Sequence, residues 1–245
     1  GVDLLREIAH ATQHSVPPPT AIVLNFPSNP TAQVADLDFY REIVAFAKRH
    51  EIWLLSDIAY AEIFFEAPPP SILEVAGAFE VAVEFSSLSK TYSMPGWRIG
   101  FAAGNRHLVQ ALTRIKSYLD YGAFTPIQVA ATAALNGPQD CVDEIRDRYR
   151  RRRDVLVEGL NGAGWPVPSP AATMFAWAPL PPAFRDIGSL AFAKLLLEEA
   201  NVAVAPGIGF GEHGDGFVRL ALVENQQRLR QAVRNIKTFL ARQDN

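Results

Sequence analysis

Lys90 lies in SSLSKTYSMPGWRIG (residues 86–100), behind Ser86, Ser87 and Ser89 and eight residues ahead of Arg98. A lysine that ends a buried strand is desolvated, and desolvation favours the neutral amine, the form that condenses with a carbonyl to a Schiff base. The hydroxyls of Ser87 and Ser89 and the planar fork of Arg98 make a donor set suited to a phosphate dianion. Taken by itself, the string also fits a strand-end lysine that snorkels to water.

Two other strings change that balance. NFPSNPT (25–31) puts the amide of Asn29 in a tight turn just after an apolar run, and SDIAY (56–60) puts Asp57 at a strand end with Tyr60 three residues on. Separately, an Asn-Pro turn is usually only a turn and an acid after a strand usually a helix cap. Together, Asn29, Asp57, Ser87 and Lys90 fall just after the carboxyl ends of successive strands. In a parallel sheet those ends open on one crevice, the usual ligand position.

The elements that must position these residues follow from periodicity. Residues 3–14 read as a helix ended by Pro17, Pro18 and Pro19. AIVLNF (21–26), IWLLSD (52–57), VAVEFSS (81–87) and RIGFAAG (98–104) read as strands, and 36–50 as an amphipathic helix. Alternation of short apolar strands with helices predicts an α/β fold with a mostly parallel sheet covered by helices. Helices then follow at 107–120, 126–136 and about 140–160. Beyond GAGWPVPSP, strands at 174–178, 202–205 and 217–222 alternate with helices at 189–200 and 225–242, as in a smaller C-terminal α+β domain. The boundary falls within the long helix, giving domains 1–145 and 146–245.

Composition limits the rest. The 245 residues carry 23 basic and 26 acidic side chains, net −3, which gives no general attraction to nucleic acid or anionic lipid. No apolar stretch approaches the length of a membrane span. Cys141 is the single cysteine, which excludes an intrachain disulfide and a thiolate metal cluster and fits a reducing, cytoplasmic location. The amphipathic opening GVDLLREIAHATQHS lacks the features of a signal peptide, and the chain opens on Gly1 without an initiator methionine.

In order and interval, these strings resemble the fold-type I (class I/II) pyridoxal-phosphate aminotransferases, from about Ala21 to Leu240. The resemblance implies a pyridoxal-phosphate-dependent transferase fold with the cofactor pyridoxal 5′-phosphate on Lys90. It implies Asp57 at the pyridine nitrogen, Tyr60 and Asn29 at the ring oxygen, and Ser87, Ser89 and Arg98 at the phosphate. Arg219, in FVRLALV, is similar to the arginine that grips the substrate α-carboxylate, and Asn29 is implied as a second substrate-binding residue. Lys90, Asp57 and Tyr60 are the implied catalytic residues; no metal is implied. Substrates would be an amino acid and a 2-oxo acid, and the assembly a homodimer. The turn NFPSNPT, the lysine segment, RIKSYLDYG (114–122) and VAPGIGFGEHG (204–214) are closest to the bacterial glutamate–pyruvate branch, implying alanine with 2-oxoglutarate. The family also has an N-terminal stretch, with a glycine turn and a ring-stacking aromatic, that finds no counterpart before Asn25. By that comparison the chain is N-terminally incomplete.

Other signals have plainer readings. His10 and His14 are spaced like metal ligands but have no third partner in sequence, and a solvated helix face accounts for them. Arginines 148 and 150–153 alternate with Glu144, Asp147 and Asp154, as on a charge-paired solvated helix. GIGFGEHGDG (207–216) opens no helix after a strand and reads as an active-site loop that positions Arg219. Trp97 and Trp177 read as core or pocket walls. Two alternatives stay open: a β- or γ-eliminating lyase on the same scaffold, and an idle aminotransferase-like effector domain of a transcription regulator.

Overall fold

The computed structural model describes residues 3–242; residues 1–2 and the end of the expected second domain, 243–245, lie outside it. The chain forms two compact units, Gly1–Pro27 with Val34–Glu62 and Pro68–Gln139, and Ser28–Gln33 with Ile63–Ala67 and Asp140–Asn245.

In the first unit, helix α1 (Leu4–His14) is capped by the Asp3 side chain, which accepts from the Arg6 amide. Strand β1 (Ala21–Asn25), helix α2 (Leu37–His50), strands β2 (Trp53–Asp57) and β3 (Ala82–Ser87), the four-residue helix α3 (Leu88–Thr91) and strand β4 (Gly100–Gly104) follow, then α4 (Arg106–Leu119) and α5 (Thr125–Asn136). The sheet order is β1-β2-β3-β4, with the first three strands parallel and β4 antiparallel to β3. Asp36 caps α2 by accepting from the Phe39 amide. The apolar stripe of α2, Tyr40, Ile43, Val44 and Ala47, packs with Leu24, Leu54 and Ala82 into the core. On the other sheet face Val23 is 71% exposed. Strand β4 starts at Gly100, two residues later than the sequence suggests, because Arg98 takes a left-handed backbone (φ 50) that no strand accommodates.

The second unit holds the long helix α6 (Asp140–Asn161), strand β5 (Phe175–Pro179), helix α7 (Gly188–Ala200), strands β6 (Ala205–Pro206) and β7 (Phe217–Ala221), and helix α8 (Gln226–Ala241). Its antiparallel sheet runs β5-β7-β6. Trp165, Phe192, Leu196 and Phe239 are fully buried, and the Trp165 indole donates to the Pro179 carbonyl at 2.7 Å. The strand expected at 202–205 shrinks to Ala205–Pro206. Asn201 turns left-handed and the Val202 amide bonds back to the Leu196 carbonyl, so 201–204 close the helix and do not join the sheet.

The arginine run on α6 is a further correction. Arg150 pairs with Asp147 as a solvated pair. Arg153 pairs with Asp154 at 2.7 Å, yet exposes only 14% of its side chain and lies over the Phe65 ring, 4.8 Å from its centroid; Arg146, ahead of the run, exposes 15% and lies 4.0 Å from the Phe64 centroid. Phe64 and Phe65 reach this unit because Ile63–Ala67 runs alongside 171–173: Thr173 N bonds to Ile63 O and Phe65 N to Ala171 O. Part of the helix is thus a cation–aromatic contact surface.

Candidate functional site

The candidate side chains fall into two groups, one in each unit.

In the first unit, the parallel register that aligns Asn25 with Asp57 and Asp57 with Phe85 brings three strand ends to one edge. Asp57 is the last residue of β2; its carboxylate accepts from the Ala59 amide at 3.0 Å, which turns the chain towards Tyr60. Asn25 ends β1 and donates from its side chain to the Asp57 carbonyl at 3.2 Å, tying the two strand ends together. Ser87 ends β3 and caps α3, its hydroxyl accepting from the Ser89 amide at 3.2 Å. The capped turn places Lys90 one residue beyond Ser89, with its Nζ 5.9 Å from the centroid of the nearly buried Tyr60 ring. Lys90 is half-buried and sits on α3, not buried at a strand end as its sequence setting suggests: the Ser87 cap lifts it a turn above the sheet.

The chain then loops out and returns, because Ser87 pairs with Gly100 in the β3–β4 register. Only glycine fits at that crossing: a Cβ on Gly100 would lie 2.4 Å from the Ser86 carbonyl oxygen. Arg98 is therefore delivered two residues from the partner of Ser87. It is exposed, left-handed, and donates to the Pro95 carbonyl at 3.1 Å. A left-handed arginine is strained, and strain of this kind gathers at ligand clamps. Trp97, on the adjacent 3-10 turn, is exposed and not core.

In the second unit, Arg219 occupies the middle of β7 between Trp177 of β5 and Ala205 of β6. Its guanidinium donates to the Asn29 side-chain oxygen at 2.6 Å. Asn29 is held by a closed turn in which the Ser28 amide bonds to Gln33 O and the Ala32 amide to Ser28 O. The rings of Phe175 and Phe210 cover the Arg219 guanidinium, their centroids 4.2 and 4.7 Å from its central carbon. Trp177 stacks on Phe217 at 5.3 Å and meets Phe210 edge-on at 5.8 Å, so it is a wall of this group.

Asn25, Phe175 and Phe210 were not singled out by sequence. Asn25 had a signal, since it ends β1 as Asp57 ends β2. Phe175 alternates with Trp177 on β5 and was legible as a same-face neighbour. Phe210 lies in a glycine-rich stretch with no period to read. On α1, the His10 and His14 rings stack at 4.1 Å and His14 Nδ1 lies 2.7 Å from the His10 carbonyl oxygen.

The donor set of the first unit matches pyridoxal phosphate group by group: an amine for its carbonyl, a carboxylate for its ring nitrogen, a phenol for its ring oxygen, hydroxyls and a guanidinium for its phosphate. Comparison with known proteins agrees. Residues 2–236 match the family described as aminotransferase class I and II, whose members use pyridoxal phosphate. AatC of Rhizobium meliloti (strain 1021) is 66% identical over 97% of this chain and 59% of its own length. The glutamate-pyruvate aminotransferase AlaC of Escherichia coli (strain K12) is 56% identical over 98% of this chain and 58% of its own. The crystal structure of an aromatic aminotransferase from Pyrococcus horikoshii OT3 superposes with a TM-score of 0.89 at 29% identity, covering 97% of this chain and 64% of that one. The chain spans a little under three fifths of the two curated relatives, and it belongs to the aminotransferase class I and II family.

Proposed function

We propose that the protein is an aminotransferase that moves an amino group between an amino acid and a 2-oxo acid, with alanine and 2-oxoglutarate as the preferred pair. The observation that carries it is the approach of the Lys90 amine to the Tyr60 ring beside the strand-end carboxylate of Asp57. Pyridoxal phosphate, when bound, supplies the electron sink for charge developing at the substrate Cα. Lys90 would hold it, with Ser87, Ser89 and Arg98 at its phosphate. Asp57 would hold a proton on the ring nitrogen and Tyr60 would donate to the ring oxygen. Lys90 Nζ, once the substrate amine has displaced it, would be the group placed to hold and move the proton at the substrate Cα. Arg219, steadied by Asn29, binds the substrate carboxylate, and this fixes the direction of the Cα–H bond. The alanine pair draws support from the 56% identity to a glutamate-pyruvate aminotransferase.

Residues 1–145 would contribute to the cofactor-binding domain and 146–245 would form the smaller one. A homodimer fits the exposure of Tyr118 and Leu119 at the end of α4 and of Tyr121 and Phe124 in the link to α5, Tyr121 being 91% exposed. With one cysteine, the enzyme would work in the cytoplasm.

Borohydride reduction of the cofactor-loaded full-length protein, followed by peptide mapping, should place the label on Lys90; a label on Lys116 overturns the assignment. Single-turnover kinetics with a panel of amino acids then tests the pair. If aspartate, methionine or an aromatic amino acid exceeds alanine tenfold in kcat/KM, the alanine assignment fails and the transaminase stands. Release of pyruvate and ammonia from β-substituted amino acids without amino transfer would mark a lyase instead.

A further inference from the structure

The loop between β6 and β7 has no regular structure beyond two 3-10 turns, Gly207–Phe210 and Glu212–Gly214, yet its base is tightly fixed. Gly207 and Gly214 cross so closely that a Cβ on Gly207 would lie 1.9 Å from the Gly214 carbonyl oxygen. A second tie runs through Ser189, which is fully buried at the start of α7. The Ile208 amide donates to the Ser189 hydroxyl at 3.0 Å, and that hydroxyl donates to the Asp215 carboxylate at 2.8 Å. The Ser189 amide donates to the same carboxylate oxygen at 2.9 Å. The hydroxyl and amide bonds from Ser189 hold the Asp215 carboxyl below its ordinary range. Gly188, left-handed at φ 75, leaves room for that carboxylate; a Cβ there would be 3.0 Å from it.

The part of the loop so fixed is Ile208, and two residues on is Phe210. Phe210 is 41% exposed, so burial does not explain where its ring sits. Its partners are the Arg219 guanidinium and the edge of Trp177. A guanidinium covered by rings loses water from its faces and donates from its edge, where a planar carboxylate is met by two parallel bonds.

We propose that Phe210 is a positioning residue for carboxylate recognition, set over Arg219 by the Ile208–Ser189–Asp215 relay. The proposal rests on the reading of Arg219 as the substrate-carboxylate residue. It assigns to Asp215 and Ser189, which act through the Ile208 backbone, control over the affinity for 2-amino and 2-oxo carboxylates.

The test uses the cofactor-loaded full-length enzyme with Phe210→Ala, Asp215→Ala, Asp215→Asn and Arg219→Ala. Phe210→Ala should raise KM for alanine about two- to thirtyfold, the range of one cation–aromatic contact, with kcat within about twofold. Asp215→Ala should act in the same direction, and Asp215→Asn, whose amide oxygen still accepts from Ser189, should recover most of the loss. Slow reaction with an alkylamine lacking a carboxylate should be unchanged in the two Asp215 variants and should fall less than the alanine reaction in Phe210→Ala. If Arg219→Ala raises KM while Phe210→Ala leaves it unchanged, the proposal falls and the reading of Arg219 stands. If Arg219→Ala itself leaves KM unchanged, that reading falls. An equal loss towards the alkylamine would make Phe210 a general packing residue and also overturn the proposal.

Discussion

At the residue scale, the candidate groups of the first unit are held by neighbours close in sequence. Asp57 is aimed by the Ala59 amide at the strand end where its string places it, whereas the Ser87 cap turns Lys90 onto α3, which its string did not reveal. The pairing of Asn29 with Arg219 spans 190 residues and was not readable as a contact. Replacing Asp57 by Asn should leave bound cofactor near the wild-type amount and remove most turnover, because a neutral amide does not stabilise a protonated ring nitrogen. Absorbance of the purified variant reports retention and single-turnover rates report the loss; turnover near wild type would remove Asp57 from the ring. For Asn29→Ala the expected effect is a rise in KM for the amino acid at roughly constant kcat. A hydrogen bond to a charged group contributes about 1.5–3 kcal/mol, so the rise should be on the order of tenfold or more.

At the element scale, strong periodicity made the helices legible to within about two residues, and their caps account for their starts. Asp3, Asp36, Asn105 and Asn225 each accept from an amide two or three residues on. Strand ends were less legible where backbone geometry outweighs composition. The β-branched stretch 202–204 has strand-forming residues but is claimed by the closure of α7 through the left-handed Asn201. Likewise, Arg98 and Ile99 look like the start of β4, yet the left-handed arginine postpones it to Gly100. Arg153 of α6 looked fully solvated because its ring partner, Phe65, lies far away in the chain. Gly100 gives the sharpest test at this scale. A methyl group there meets the Ser86 carbonyl at 2.4 Å, a backbone atom that moves only with the strand. Gly100→Ala should destabilise the protein by about 1–3 kcal/mol and, by shifting Arg98, raise the dissociation constant of the cofactor. Urea midpoints and equilibrium dialysis measure the two; an unchanged midpoint would show that β4 yields at no cost.

At the scale of the whole molecule, global stability should carry the imprint of one buried polar cluster under the first sheet. Tyr40 on α2 is 1% exposed, and Glu84 on β3 is nearly buried, accepting from the Ser71 hydroxyl at 2.9 Å and the Ile72 amide at 3.2 Å. Burial pushes the Tyr40 phenol up to about 12 from 10.0, the charge of Glu84 adds to the rise, and the Ser56 hydroxyl offsets part of it. Burial likewise raises the Glu84 carboxyl, against its bonds from Ser71 and Ile72. Both shifts have the same sign in linkage terms. A folded acid with a raised pKa keeps its proton after the unfolded chain has released it, so stability is lost as pH rises through the window between the two values. For Tyr40 that window runs from about 10 to about 12, and its full width corresponds to roughly 2–3 kcal/mol. Unfolding free energy measured in urea at steps from pH 9 to pH 12 should therefore fall more steeply in the wild type than in Tyr40→Phe. The phenylalanine variant keeps the ring in the core and removes the proton. Other groups that titrate in this range are common to both proteins and cancel in the difference. Parallel curves would show that the phenol is solvated enough to ionise in the folded state, and the cluster would then have no bearing on alkaline stability.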